Sequence, residues 1–141
     1  MPQAVSYSPR SVPLGLRLTI RAVSGTAALI SLLPVRRIRR LLSRLRKGAA
    51  PAASAPVLAA YQAVVAVSLP CAGPEGCLRR SLAIVLLCRL NGIWPTWCTG
   101  PKTLPPFTAH AWVEAEGRMV GEDLPDGYFR PLISVPPFVD D

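Results

Sequence analysis

The spacing of apolar residues changes at Gly92, and this limits the fold more than any other feature of the 141-residue chain. Before Gly92, apolar side chains recur every three or four positions, the period of a helix; after it they alternate, the period of a strand. Sixteen prolines keep the helices short. The pattern predicts helices over 14–33, 35–47, 55–67 and 77–90. Pro34 opens the second at its first turn, Gly48 ends it, Ser54 caps the third, and Asn91-Gly92 closes the fourth. Residues 1–13 read as a loose arm, and the run from Gly48 to Ser54 reads as a small-residue linker. Beyond Gly92, residues 93–99 read as extended, 107–114 as a strand, Glu116-Gly117 as a hairpin turn and 118–122 as the returning strand. Helices first and an antiparallel sheet afterwards define an α+β class. The expected division is a basic helical region with its linker over 1–54 and a core over 55–141.

Charge divides the chain as sharply as period does. Ten basic residues precede Glu75, the first acidic one; six basic and eight acidic residues follow or include it. The front half should therefore attract anions and the back half should not. Within 35–47, Val35, Ile38, Leu41, Leu42 and Leu45 form one stripe, and Arg and Lys cover the rest of the surface. Residues 1–47 are Arg-rich and free of acid, a composition shared with organelle transit peptides. The apolar run 22–35 is short for a bilayer and contains Ser24 and Gly25. A nucleic-acid or membrane surface is a competing reading of this half. Against the first, no aromatic residue interleaves with the arginines to stack on a base.

Four cysteines, Cys71, Cys77, Cys88 and Cys98, stand in a chain without a secretory signal, because Arg17 and Arg21 interrupt its early apolar stretch. Reduced thiols and a cytoplasmic location follow. Cys77 begins a buried helix just after a Gly/Pro turn. Free backbone N–H groups and the positive end of the helix dipole then favour thiolate over thiol, with Arg79 and Arg80 adding charge. The same N–H groups can hold an oxyanion. Cys88 and Cys98 lie within apolar elements and read as inert core residues, and Cys71 is ambiguous.

His110 is the only histidine. It lies downstream of the helix-capping cysteine and is the one side chain suited to move protons near neutral pH. The hairpin supplies a carboxylate to orient it. With a two-residue turn at Glu116-Gly117, His110 faces Asp123; with a three-residue loop it faces Glu122. Trp112 and Glu114 share the face of His110. Trp112 is expected to shield the ion pair and flank the substrate, and Glu114 to be structural. The chain offers neither zinc-ligand spacing nor a phosphate-binding glycine loop, so neither metal nor cofactor is expected.

Together, Cys77-Leu-Arg-Arg-Ser81, Phe107-Thr-Ala-His-Ala-Trp-Val-Glu114 and Gly117-Arg-Met-Val-Gly-Glu122 resemble the transglutaminase-like, papain-type leader peptidases of lasso peptide biosynthesis, over about residues 70–125. The resemblance implies a papain/transglutaminase-like core with the nucleophile at a helix N-terminus packed on a small antiparallel sheet. It implies a bacterial cysteine peptidase that removes the leader from a ribosomally made precursor before a separate cyclase closes the macrolactam. Cys77 and His110 carry over as nucleophile and base. Glu122 stands at the offset of the third acid, where the family usually has aspartate, with Asp123 beside it. Some members carry a fused leader-recognition domain. Residues 1–54 leave no room for one, so the chain resembles the peptidase half of a split system that works with a separate recognition protein. The basic helix 35–47 is a candidate surface for that partner or for an acidic leader. The same thiolate chemistry serves a transglutaminase or acyltransferase when an amine replaces water.

Overall fold

The structure, a computed structural model, describes residues 13–68, 71, 76–105, 108–122 and 127–138. Four helices are described, α1 (Leu14–Ile30), α2 (Val35–Leu45), α3 (Ser54–Val67) and α4 (Cys77–Leu90). Six short strands join them: β1 (Ala50–Pro51), β2 (Ile93–Trp94), β3 (Thr96–Pro101), β4 (Ala109–Ala115), β5 (Arg118–Met119) and β6 (Ile133–Val135). The chain is α+β. No helix among the described residues is long and apolar enough to cross a membrane.

Helix α4 is the centre of the molecule. Ser81, Leu82, Ala83, Ile84, Val85, Leu87 and Cys88 are all buried, so the helix is apolar nearly all round, as a helix with neighbours on every side must be. Helices α1 and α3 cover it on one side and strand β4 on the other. Ile20, Val23 and Ala27 of α1 and Ile38 and Leu42 of α2 enter the same core cluster as Val57 and Val64 of α3. The helices before residue 54 thus share one core with everything after it. Burying the indoles of Trp94 and Trp97 requires hydrogen-bond partners for their N–H groups. Trp94 donates to the Val135 carbonyl at 3.1 Å and Trp97 to Ser81 Oγ at 3.0 Å.

The main sheet is antiparallel, in the order β5-β4-β3-β6. Gly100 is required on β3, because a Cβ there would collide with the Arg130 carbonyl. Three details differ from the expectations from sequence. The presumed linker contains β1, which pairs in parallel with β2. Ala50 and Ala52 donate to the carbonyls of Gly92 and Trp94, and Pro51, which has no N–H, falls between them at no cost. Ser54 does not cap α3; its hydroxyl reaches Glu116 Oε2 at 2.7 Å instead. Strand β6 lies in a proline-rich stretch that carries no alternation to predict it. Phe107 and Asp123 lie outside the described residues.

Candidate active site

Cys77 is the first residue of α4, as expected. Gly76 precedes it without a side-chain cap, and the first intrahelical bond runs from the Arg80 N–H to the Gly76 carbonyl at 2.7 Å. The N–H groups of the first turn are therefore not consumed within the helix. The sulfur is half-buried. It shares a hydrogen bond with His110 and accepts another from the Ala111 backbone. The bond with His110 is the largest influence on the thiol and holds it below its usual range. Burial opposes this, while Ala111 and the charges of His110 and Arg80 reinforce it.

His110 lies near the start of β4, opposite Gly100. Burial works against its charged form, but the bonds to Cys77 and Glu122, with their negative charges, prevail and push the imidazole up to about 9. Nε2 meets Glu122 Oε1 at 2.6 Å, and both side chains are 16% exposed. Nδ1 is thereby left for the sulfur, and the carboxylate fixes the tautomer. Near neutral pH these directions favour a thiolate–imidazolium pair.

The carboxylate on the imidazole arrives by a route the register argument did not foresee. Of the two loop lengths left open, Glu116-Gly117 forms the two-residue turn, with positive φ at both residues and Ala115 paired with Arg118. Continued regularly, that register would face His110 with Asp123. The ladder instead stops after the bond from the Val120 N–H to the Val113 carbonyl. Gly121, at φ 83°, then redirects the chain and delivers Glu122. A Cβ on Gly121 would stand 2.5 Å from the Tyr61 ring, so only glycine fits both the conformation and the space.

Arg80, expected from the sequence as a nearby charge, completes the surroundings with Tyr61 and Phe129, which were not read as site residues. Arg80 lies one turn beyond Cys77. One of its nitrogens approaches Glu122 Oε1 at 3.6 Å, and another donates to the Cys71 carbonyl at 3.1 Å. Its guanidinium also lies 5.8 Å from the centre of the Tyr61 ring. Arg79, expected to share this role, turns away and donates to the Ser24 carbonyl of α1 at 3.3 Å. Phe129 stacks on His110 with centroids 4.4 Å apart, closer than Trp112 at 6.0 Å. Trp112 is buried, donates to Glu114 Oε2 at 2.7 Å, and helps line an open groove of about 390 Å³ with Met119, Tyr128 and Phe129. Glu114 is occupied by this bond and by Cys98. Burial pushes the thiols of Cys88 and Cys98 up to about 12, in contrast to the lowered thiol of Cys77.

A family model described as the transglutaminase-like superfamily matches residues 21–134. The chain belongs to the transglutaminase-like superfamily. The matched span runs from α1 to β6 and contains Cys77, His110 and Glu122. Members of this superfamily are generally cysteine-dependent hydrolases or transferases, and the thiol, imidazole and carboxylate brought together here are the groups such chemistry needs. No curated protein and no solved structure matches the chain.

Proposed function

We propose that the protein is a cytoplasmic cysteine peptidase that releases the leader from a ribosomally made lasso precursor, with Cys77, His110 and Glu122 as its catalytic triad and a separate leader-recognition protein as its partner. The observation that carries the reading is the hydrogen-bonded chain from Cys77 through His110 to Glu122 at the free N-terminus of α4. The thiolate attacks the scissile carbonyl carbon. The N–H groups of the first turn of α4 lie where they can take the charge developing on its oxygen. The imidazolium gives its proton to the leaving amine, and the C–N bond breaks to leave a thioester on Cys77. His110 then takes a proton from water, the resulting hydroxide attacks the thioester, and the thiolate departs. Glu122 holds the ring and stabilises its charged form throughout, with Arg80 fixing the carboxylate. The groove lined by Trp112 and Phe129 lies beside the imidazole, on which Phe129 stacks, and suits an extended peptide. The sequence blocks around Cys77 and His110 favour leader removal over the other reactions open to the superfamily.

Intact-mass analysis of a cognate precursor incubated with its recognition protein and either wild-type or Cys77→Ala enzyme tests this. Leader and core should separate only with the wild type. Release by both proteins would remove Cys77 from the reaction, and an amide-linked product would make the enzyme an acyltransferase.

A further inference from the structure

Outside the candidate active site, a strongly charged concavity of about 600 Å³ lies between α2 and β6. Arg36, Arg39, Arg40, Arg44, Arg46 and Lys47 line it, with Ser43 and Ile133 completing the wall. No ion pair among the described residues neutralises any of these cations. Their scaffold is fixed. Ile38 and Leu42 are fully buried beneath the helix. Arg89 donates to the carbonyls of Leu45 and Lys47 at 2.7 and 3.2 Å, and Arg46 donates to the Pro136 carbonyl at 3.0 Å. Holding so many like charges side by side costs free energy through repulsion, and a bound polyanion relieves it.

The position of the groove indicates which polyanion. Ile133 in its wall follows Phe129 by four residues, and Phe129 stacks on His110 at 4.4 Å. Four residues reach about 14 Å at most. An extended polypeptide with its scissile bond at Cys77 can therefore reach the groove within about ten residues, at about 3.3 Å per residue. The Phe138 ring lies 5.5 Å from the Arg46 guanidinium, but no aromatic side chain is among the described residues of the lining, so successive bases find no run of stacking platforms. Its concave shape suits a strand of chain better than the flat face of a bilayer.

We infer that the arginine-lined groove between α2 and β6 binds an acidic stretch of the substrate polypeptide and holds it while a bond a few residues away is cleaved at Cys77. The inference rests on the peptidase reading of the catalytic centre. Its test is a binding measurement on the full chain carrying Cys77→Ala, so it is read without chemistry. The probe is a fluorescein-labelled oligoglutamate peptide, followed by anisotropy. Binding should weaken at least about tenfold in R39E/R40E and should fall with added salt. With Cys77 intact, R39E/R40E should be alkylated by iodoacetamide at the wild-type rate. If the double charge reversal fails to fold, R39Q/R44Q should show a smaller loss in the same direction. Equal affinity in parent and variant would overturn the inference. So would tighter binding of an oligothymidylate of equal charge, or binding confined to phosphatidylserine vesicles. Failure of precursor cleavage would leave this result unchanged. No binding of the oligoglutamate by the Cys77→Ala parent, with precursor cleavage by the wild type intact, would overturn the groove alone.

Discussion

At the residue scale, a relay rather than any single neighbour holds the Cys77 thiol below its usual range. Glu122 raises the affinity of His110 for a proton, and the charged His110 stabilises the thiolate. The sign of a change at Glu122 follows. In Glu122→Gln the imidazole loses its negative partner and falls below about 9. The cation beside Cys77 is then lost at lower pH, and the thiol rises. The pH profile of iodoacetamide alkylation should move its acidic limb upward by roughly one unit, as expected for loss of an opposite charge in contact. An unchanged profile would show that Glu122 only packs against the ring. Cys77 and His110 were legible in the sequence because each belongs to a local pattern, a glycine-preceded helix start and an alternating strand. Arg80 was seen only as a nearby charge, since its grip on Glu122 spans forty-two positions of chain. Phe129 belongs to no periodic element and carried no signal.

The element that decides the identity of the acid is the end of the β5 arm. Its hairpin was legible because Glu-Gly separates two alternating runs, although a two-residue turn and a three-residue loop were both open. The departure from register was not, because it depends on the Tyr61 ring from α3 lying against Gly121. Comparing two glycines separates the causes. Gly117→Ala meets no atom within 4 Å and carries only the strain of φ 78°. Gly121→Ala carries similar strain and also drives a methyl group into Tyr61. We expect about 1–2 kcal/mol of lost stability for Gly117→Ala, measured by urea denaturation. Gly121→Ala should cost more and should also reproduce the alkylation shift of Glu122→Gln. A normal alkylation profile in Gly121→Ala would mean that the turn does not place the carboxylate. The apolar period similarly predicted the four described helices, although Ser54 does not cap α3, whereas β1 and β6 depend on strand partners distant in sequence.

For the whole molecule, the boundary drawn near residue 54 from charge and composition meets a core that crosses it. Ile20 and Ala27 of α1 and Ile38 and Leu42 of α2 have no exposure, and α1 covers the helix that carries the nucleophile. Losing each buried aliphatic contact costs on the order of 1–3 kcal/mol, against a total stability of about 5–15 kcal/mol for a domain. A fragment beginning at residue 55 should therefore show no cooperative thermal transition by circular dichroism. Its thiols should be alkylated with the pH dependence of free cysteine. A sharp transition in that fragment would establish the front helices as an appendage. Basic composition made residues 1–54 look separable because charge is a property of the exposed faces, while the buried faces of the same helices obey the period that runs through to α4.

The chain contains one imidazole, and it stands at the centre of the relay. A nitrogen-15 spectrum of histidine-labelled protein would therefore contain a single ring system, with no assignment problem and no background from structural histidines. Its two nitrogen shifts report separately on the bond to the carboxylate and on the contact with the sulfur. Protonation, inhibitor attachment and addition of an acidic peptide can each be followed at His110 itself, through a reporter already present in the native sequence.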